Sequence, residues 1–162
     1  MSKLAAFAKK NGIKYFLVSF TDLRGAQRSK LVPSVAIGEM EKEGAGFAGF
    51  SVHLDMTPAY PDMFAIPDVA GVVQLPWKPE VAWVPCDLYM NGVLVAQAPR
   101  NVLRAVLEQA HKVGFKMKTG VEAEFFLLSP EGDVVSDAYD VEDKPCYDQS
   151  ALMRRYDVVA EI

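Results

Sequence analysis

The sequence predicts an α+β fold, and three observations carry that prediction. Residues 13–20 and 26–32 are strand-type runs rich in Ile, Tyr, Phe and Val, separated by the turn-forming Asp22-Leu23-Arg24-Gly25. Residues 69–75 and 81–89 are two further such runs, and Asn91-Gly92 follows them. That pair is a strong hairpin signal, because a type I′ turn needs positive φ at both central positions. Finally, Pro99 opens a helix to about residue 113, with Val102, Leu103, Val106, Leu107, Ala110 and Val113 at the spacing of one helical face.

The remaining elements follow from local signals. Ser2 can cap a short helix over residues 3–10, and Asn11-Gly12 would end it. Ser34 can cap a second helix to about Glu43, with Gly44 and Gly46 as stops. Gly114 ends the long helix, and Ser129-Pro130-Glu131-Gly132-Asp133 is a tight turn. Residues 131–149 are polar and irregular. A last helix begins near Asp148 or Ser150 and runs to Ile162, with Met153, Tyr156, Val159 and Ala160 on an apolar face. A chain that stops inside an amphipathic helix looks cut rather than finished.

Composition excludes several classes. The chain has 162 residues, of which 51% are apolar, with a net charge of −4. This is an ordinary globular balance. Lys and Arg form no stripe, so nucleic acid is not an expected partner. No apolar run approaches the roughly 20 residues of a membrane helix. The first ten residues are too interrupted by Lys for a signal peptide, so a cytoplasmic protein is expected. Cys86 and Cys146 lie sixty residues apart without metal-ligand or redox spacing, and His53 and His111 form no catalytic pair. Cys86 reads as a buried small hydrophobe.

The stretch that carries most chemistry is Gly120-Val121-Glu122-Ala123-Glu124-Phe125-Phe126-Leu127-Leu128. Its alternation and residue types predict a strand. Side chains two apart on a strand share a face, so Glu122 and Glu124 would point the same way. Two carboxylates that close need a compensating cation if they are buried. Mg²⁺ takes oxygen ligands of this kind. Taken alone, the strand reads more simply as one with a solvated acidic face.

The wider pattern adds to this. Residues 120–128 resemble the Gly-x-Glu-x-Glu-Phe-x-Leu strand that opens the catalytic domain of glutamine synthetases. Phe20-Thr21-Asp22-Leu23-Arg24-Gly25 is similar to the family's early Asp-x-x-Gly hairpin, with Pro33 after the second strand. Gly46-Phe47-Ala48-Gly49-Phe50-Ser51 resembles its Phe-Asp-Gly-Ser-Ser loop. Residues 61–68 resemble its Ser-Asp-Met-x-x-x-Pro-Asp segment, and Pro99-Arg100 matches a Pro-Arg pair before a helix. Each is weak alone, but together, in order, they make a strong match from about residue 13 to the C-terminus.

The resemblance implies a β-grasp domain over residues 1–98. It implies the beginning of a catalytic domain, a curved antiparallel sheet, over residues 99–162. It further implies ligation of glutamate to ammonia through γ-glutamyl phosphate, with ATP as co-substrate and Mg²⁺ or Mn²⁺ as cofactor. Glu124 would bind the metal near glutamate and Glu122 the metal near the ATP phosphates. Ser51 and Asp62 would contribute to a neighbouring subunit's site in a homo-oligomeric ring. Their plainer readings are a loop hydroxyl and a turn residue. Arg100 and Asp22 read plainly as a solvated first-turn residue and a turn former.

One departure from the family pattern matters. The family's aspartate is Ala48 here and its first serine is Phe50. In the family that aspartate helps bind ammonium. Its loss makes the site more apolar and roomier, so methylamine or another small alkylamine is an alternative nucleophile. A further alternative is a non-catalytic interaction module, because residues later in the family's chain are needed to complete the site.

Overall fold

A computed structural model describes residues 1–52, 56–135, 139, 141, 143 and 146–162, with residues 51 and 52 described by their backbone alone. His53 lies outside the described residues. The chain divides into two compact units, Met1–Met117 and Lys118–Ile162.

The first unit opens with α1 (Lys3–Asn11). Ser2 Oγ accepts from the Ala5 amide at 3.2 Å, and Gly12 closes the helix in the left-handed conformation. Both ends are therefore as the sequence predicts. The Glu41 carboxylate also accepts from the Leu4 amide at 2.7 Å and the Lys3 amide at 3.1 Å. It satisfies two orphan donors of the first turn.

Strands β1 (Tyr15–Thr21) and β2 (Gln27–Pro33) pair antiparallel, from Tyr15 opposite Pro33 to Thr21 opposite Gln27. Phe16, Val18 and Phe20 alternate into the core. Helix α2 (Ile37–Glu43) starts later than predicted and has no side-chain cap. Ser34 is instead held in a turn, its amide donating to Lys14 O and its carbonyl accepting from Ile37 N.

Two short strands were not predicted: β3 (Ala45–Phe47) and β4 (Met63–Pro67), with the short helix α3 (Gly49–Val52) following β3. Their shortness and flanking Gly and Pro hid them. Gly46, read as a loop residue, lies within β3. The single strand expected over residues 69–75 is a 3₁₀ turn, Val69–Gly71, followed by β5 (Val73–Gln74). Asp68 explains the difference: its Oδ1 accepts from Ala70 N at 3.1 Å and caps the turn.

Strand β6 (Val81–Met90) organises the sheet. Its first half pairs parallel with β1 and antiparallel with β5, and its second half pairs antiparallel with β4. The hairpin through Asn91 (φ +50°) and Gly92 (φ +74°) leads to β7 (Val93–Leu94), as Asn-Gly predicts. Among the described residues the order is β2-β1-β6-β4-β3, with β5 and β7 on β6. The sheet is mixed, and with its helices it makes the first unit α+β. Leu4, Ile13, Phe16, Val18, Ile37, Met63, Val84 and Leu88 fill one core, and Phe47 packs edge-on against Phe20 at 4.9 Å.

Helix α4 (Pro99–Lys112) has Pro at its first turn and is followed by Gly114 at φ +87°, both as predicted. Its apolar face is only partly covered within this chain. Asn101 is buried, whereas Val102, Leu103, Val106, Leu107 and Val113 are exposed.

In the second unit the turn at residues 129–132 is present, with Ser129 Oγ accepting from Glu131 N and Asp133 N. The strand expected over residues 120–128 is absent. Among the described residues its pairing is limited to a bridge between Leu128 and Val134 and a bond from Val135 N to Leu127 O. A strand needs a partner across a ladder, and alternation alone does not supply one. The last helix is two helices, α5 (Gln149–Arg154) and α6 (Tyr156–Glu161), broken at Arg155. Asp148 caps α5 through Ser150 N and Ala151 N.

Candidate functional site

Glu122 and Glu124 are both exposed and lie outside regular structure. Among the described residues no ladder fixes them on a common face. Among the described residues no group of three His, Cys, Asp or Glu side chains is placed to hold a metal ion. The two carboxylates are nonetheless donors of the type that hard divalent ions take, and they could fill part of an octahedral shell.

Asp62 is exposed immediately before β4, in a position that suits a turn residue. Ser51 is in α3, and its side chain lies outside the described residues. Ala48, between β3 and α3, is partly buried, while Phe50 is half-exposed. The backbone therefore places position 48 in the one-residue link between β3 and α3, and positions 50 and 51 inside α3. A cleft of about 310 Å³ lies elsewhere in the first unit, lined by Phe20, Trp83, Pro85, Pro99, Arg100 and Leu103. Asp62 does not line it.

Three further residues behave as their chemistry dictates. Asp22 forms its turn by accepting from the amides of Arg24 and Ala26, and its other oxygen accepts from Arg28 Nε at 2.7 Å. The Arg28 hydrogen bond holds the Asp22 carboxyl below its ordinary range, with the two amides adding to the effect against the cost of burial. Cys86 is buried, and burial pushes its thiol up to about 12, which makes it inert rather than nucleophilic. His111 is in the last turn of α4, where a positive charge is favourable.

Arg100 corrects the plain reading of a solvated residue. Its Nε donates to Asp87 Oδ1 at 2.9 Å, and its Nη2 donates to Asp68 Oδ2. Arg104, one turn on, donates to Asp87 Oδ2 at 2.9 Å and Asp68 Oδ2 at 3.3 Å. Sequence reasoning missed this cluster. The one available signal was two arginines four apart on one helix face.

Comparison with known proteins gives these residues a context. The family model described as "Glutamine synthetase, catalytic domain" matches residues 96–160, a span containing α4, Glu122 and Glu124. A glutamine synthetase of Rhizobium leguminosarum bv. phaseoli is 60% identical over 159 residues, or 98% of this chain and 37% of that protein. The glutamate–methylamine ligase of Methyloversatilis universalis is 37% identical over 157 residues, or 94% of this chain and 36% of that protein. A solved structure described as "GmaS/ADP complex-Conformation 1" has a TM-score of 0.90 and 53% identity, covering 99% of this chain and 37% of that one. The chain thus spans little more than a third of the length of these curated relatives. Since sequence identity, fold and the motif-bearing segments agree along almost all of its 162 residues, the chain belongs to the glutamine synthetase family.

Proposed function

We propose that this chain is part of an ATP- and divalent-metal-dependent ligase that joins glutamate to ammonia through γ-glutamyl phosphate, giving glutamine. The observation that carries this reading is the 60% identity to a glutamine synthetase across 98% of the chain. Glu124 would hold the metal near glutamate and Glu122 the metal near the ATP phosphates. Mg²⁺ or Mn²⁺ there would neutralise charge on the transferring phosphoryl group. The description of a relative as an ADP complex fits ATP as co-substrate.

In this reading residues 1–98 are a β-grasp domain, which the parallel β1–β6 pair supports. Residues 99–162 begin the catalytic domain, which the match from residue 96 supports. Ser51 and Asp62 would serve a neighbouring subunit's site in a homo-oligomeric ring, in the cytoplasm.

A second reading keeps the reaction and changes the nucleophile to methylamine or another small alkylamine. Ala48 and Phe50, in place of the family's Asp and Ser, favour it. So does the 37% identity to a glutamate–methylamine ligase.

The test is a chimera in which this chain replaces the corresponding residues of the Rhizobium leguminosarum enzyme. It is assayed with glutamate, ATP and Mg²⁺, with ammonia and methylamine supplied separately. Amide formation with ADP release is expected, and Glu124→Ala should lower turnover by at least about 100-fold. A soluble, assembled chimera that makes neither amide overturns the ligase reading. Strong preference for ammonia overturns the second one.

A further inference from the structure

We propose that Asp68, Asp87, Arg100 and Arg104 form an ionic clamp that fixes α4 on the sheet and makes its attachment sensitive to salt. The proposal goes beyond the ligase reading and does not depend on it.

Asn101, Arg100 and Arg104 lie on the side of α4 that meets the sheet. A helix on a globular core ordinarily turns its apolar face inward. Within this chain that face is only partly covered: Val106 is 54% exposed, Leu107 37%, and Leu103 lines the cleft against Phe20 and Trp83. The inward side carries Asn101, whose Nδ2 donates to Val95 O at 2.8 Å and Leu88 O at 3.3 Å. On either side of Asn101 in the helix, Arg100 and Arg104 reach the same two carboxylates. Asn101, Arg100 and Arg104 thus give α4 a set of directed polar attachments to the sheet beside its partial apolar contact.

The geometry suits a clamp. Asp68 caps the 3₁₀ turn and Asp87 lies on β6, so the two carboxylates come from separate elements. Each accepts from both arginines, which makes a closed four-charge network rather than isolated pairs. Networks with several charge-assisted bonds exceed lone surface pairs. They are still partly solvated, with Arg104 51% and Asp87 17% exposed, so dissolved ions can screen them. A fourteen-residue helix released from such contacts is marginal on its own, so detachment would read as fraying. α4 is the first helix of the span matched by the catalytic-domain family model, so the clamp fixes the start of that span within the first unit.

The experiment is amide hydrogen exchange on the full chain, with salt raised from about 0.05 to about 0.5 M NaCl. Exchange across α4 should accelerate roughly three- to tenfold while β6 amides change little. Arg100→Gln should raise α4 exchange already at low salt and remove most of the salt response. Arg100→Lys should fall between, because an ammonium cannot reproduce the bridging fork. Salt-independent α4 exchange overturns the proposal. So does a parallel rise in α4 and β6, which would mean that the charges stabilise the whole unit. If Arg100→Gln fails to fold, the salt series on the unaltered chain decides.

Discussion

Asp22 sits at the corner of the β1–β2 hairpin with its carboxylate turned inward, 2% exposed. Oδ1 accepts two amides of the turn, and Oδ2 meets Arg28 across the hairpin. The sequence marked Asp22 as a turn former, which it is. Its pairing with Arg28 was not legible, because it depends on the register of two strands rather than on local residue type. The pairing has a pH consequence. The folded carboxyl lies below its ordinary value, so the unfolded chain binds this proton more readily. Its contribution to stability is complete above that value and is lost as pH falls through the lower folded value. Asp22→Asn should therefore lower the thermal midpoint at neutral pH, and the gap from wild type should close on acidification. Thermal melts across acid and neutral pH read this directly. A gap that does not change with pH would refute the assignment.

At the scale of elements, signals carried by adjacent residues were readable and those requiring a distant partner were not. Ser2, Gly12, Asn91-Gly92 and Pro99 act within a few bonds of themselves, and each does what its chemistry predicts. The stretch around Glu122 has the alternation of a strand but no ladder among the described residues, and α4 has an apolar stripe that the sheet covers only in part. In both cases periodicity names a capacity that only a partner surface turns into structure. The junction between α2 and β3 makes a sharper test of element packing. Gly44 closes α2 at φ +78° and ψ 170°, a region that is essentially glycine's own. A Cβ there would stand 2.9 Å from Ala65 O and 2.7 Å from Ile66 Cδ1 on β4. Both backbone strain and steric contact oppose a side chain. Gly44→Ala should destabilise the unit by about 2–3 kcal/mol in urea unfolding. A change below about 0.5 kcal/mol would mean that α2 and β4 shift apart freely.

At the scale of the whole molecule, the family was legible from motifs spread along the chain, whereas the site was legible only as separate pieces. On the ligase reading, Glu122 and Glu124 would supply two carboxylates to an ion that takes more ligands than these. Positions 48–51, the link after β3 and the start of α3, carry the departure from the family pattern. Ammonium presents four N–H donors, and methylammonium replaces one of them with a methyl group. A site that offers a carboxylate to the fourth donor discriminates against the methyl, since one acceptor is then left without its bond. A site with Ala at that point, beside the exposed Phe50, loses this discrimination and tolerates the methyl. On the alkylamine reading, Ala48→Asp in the chimeric enzyme should raise the ratio of kcat/KM for ammonia over methylamine by about tenfold. Ala48→Asn adds similar bulk without the charge, and should move the ratio less. Equal shifts from both substitutions would assign selectivity at position 48 to volume. No shift from either would remove positions 48–51 from the choice of amine.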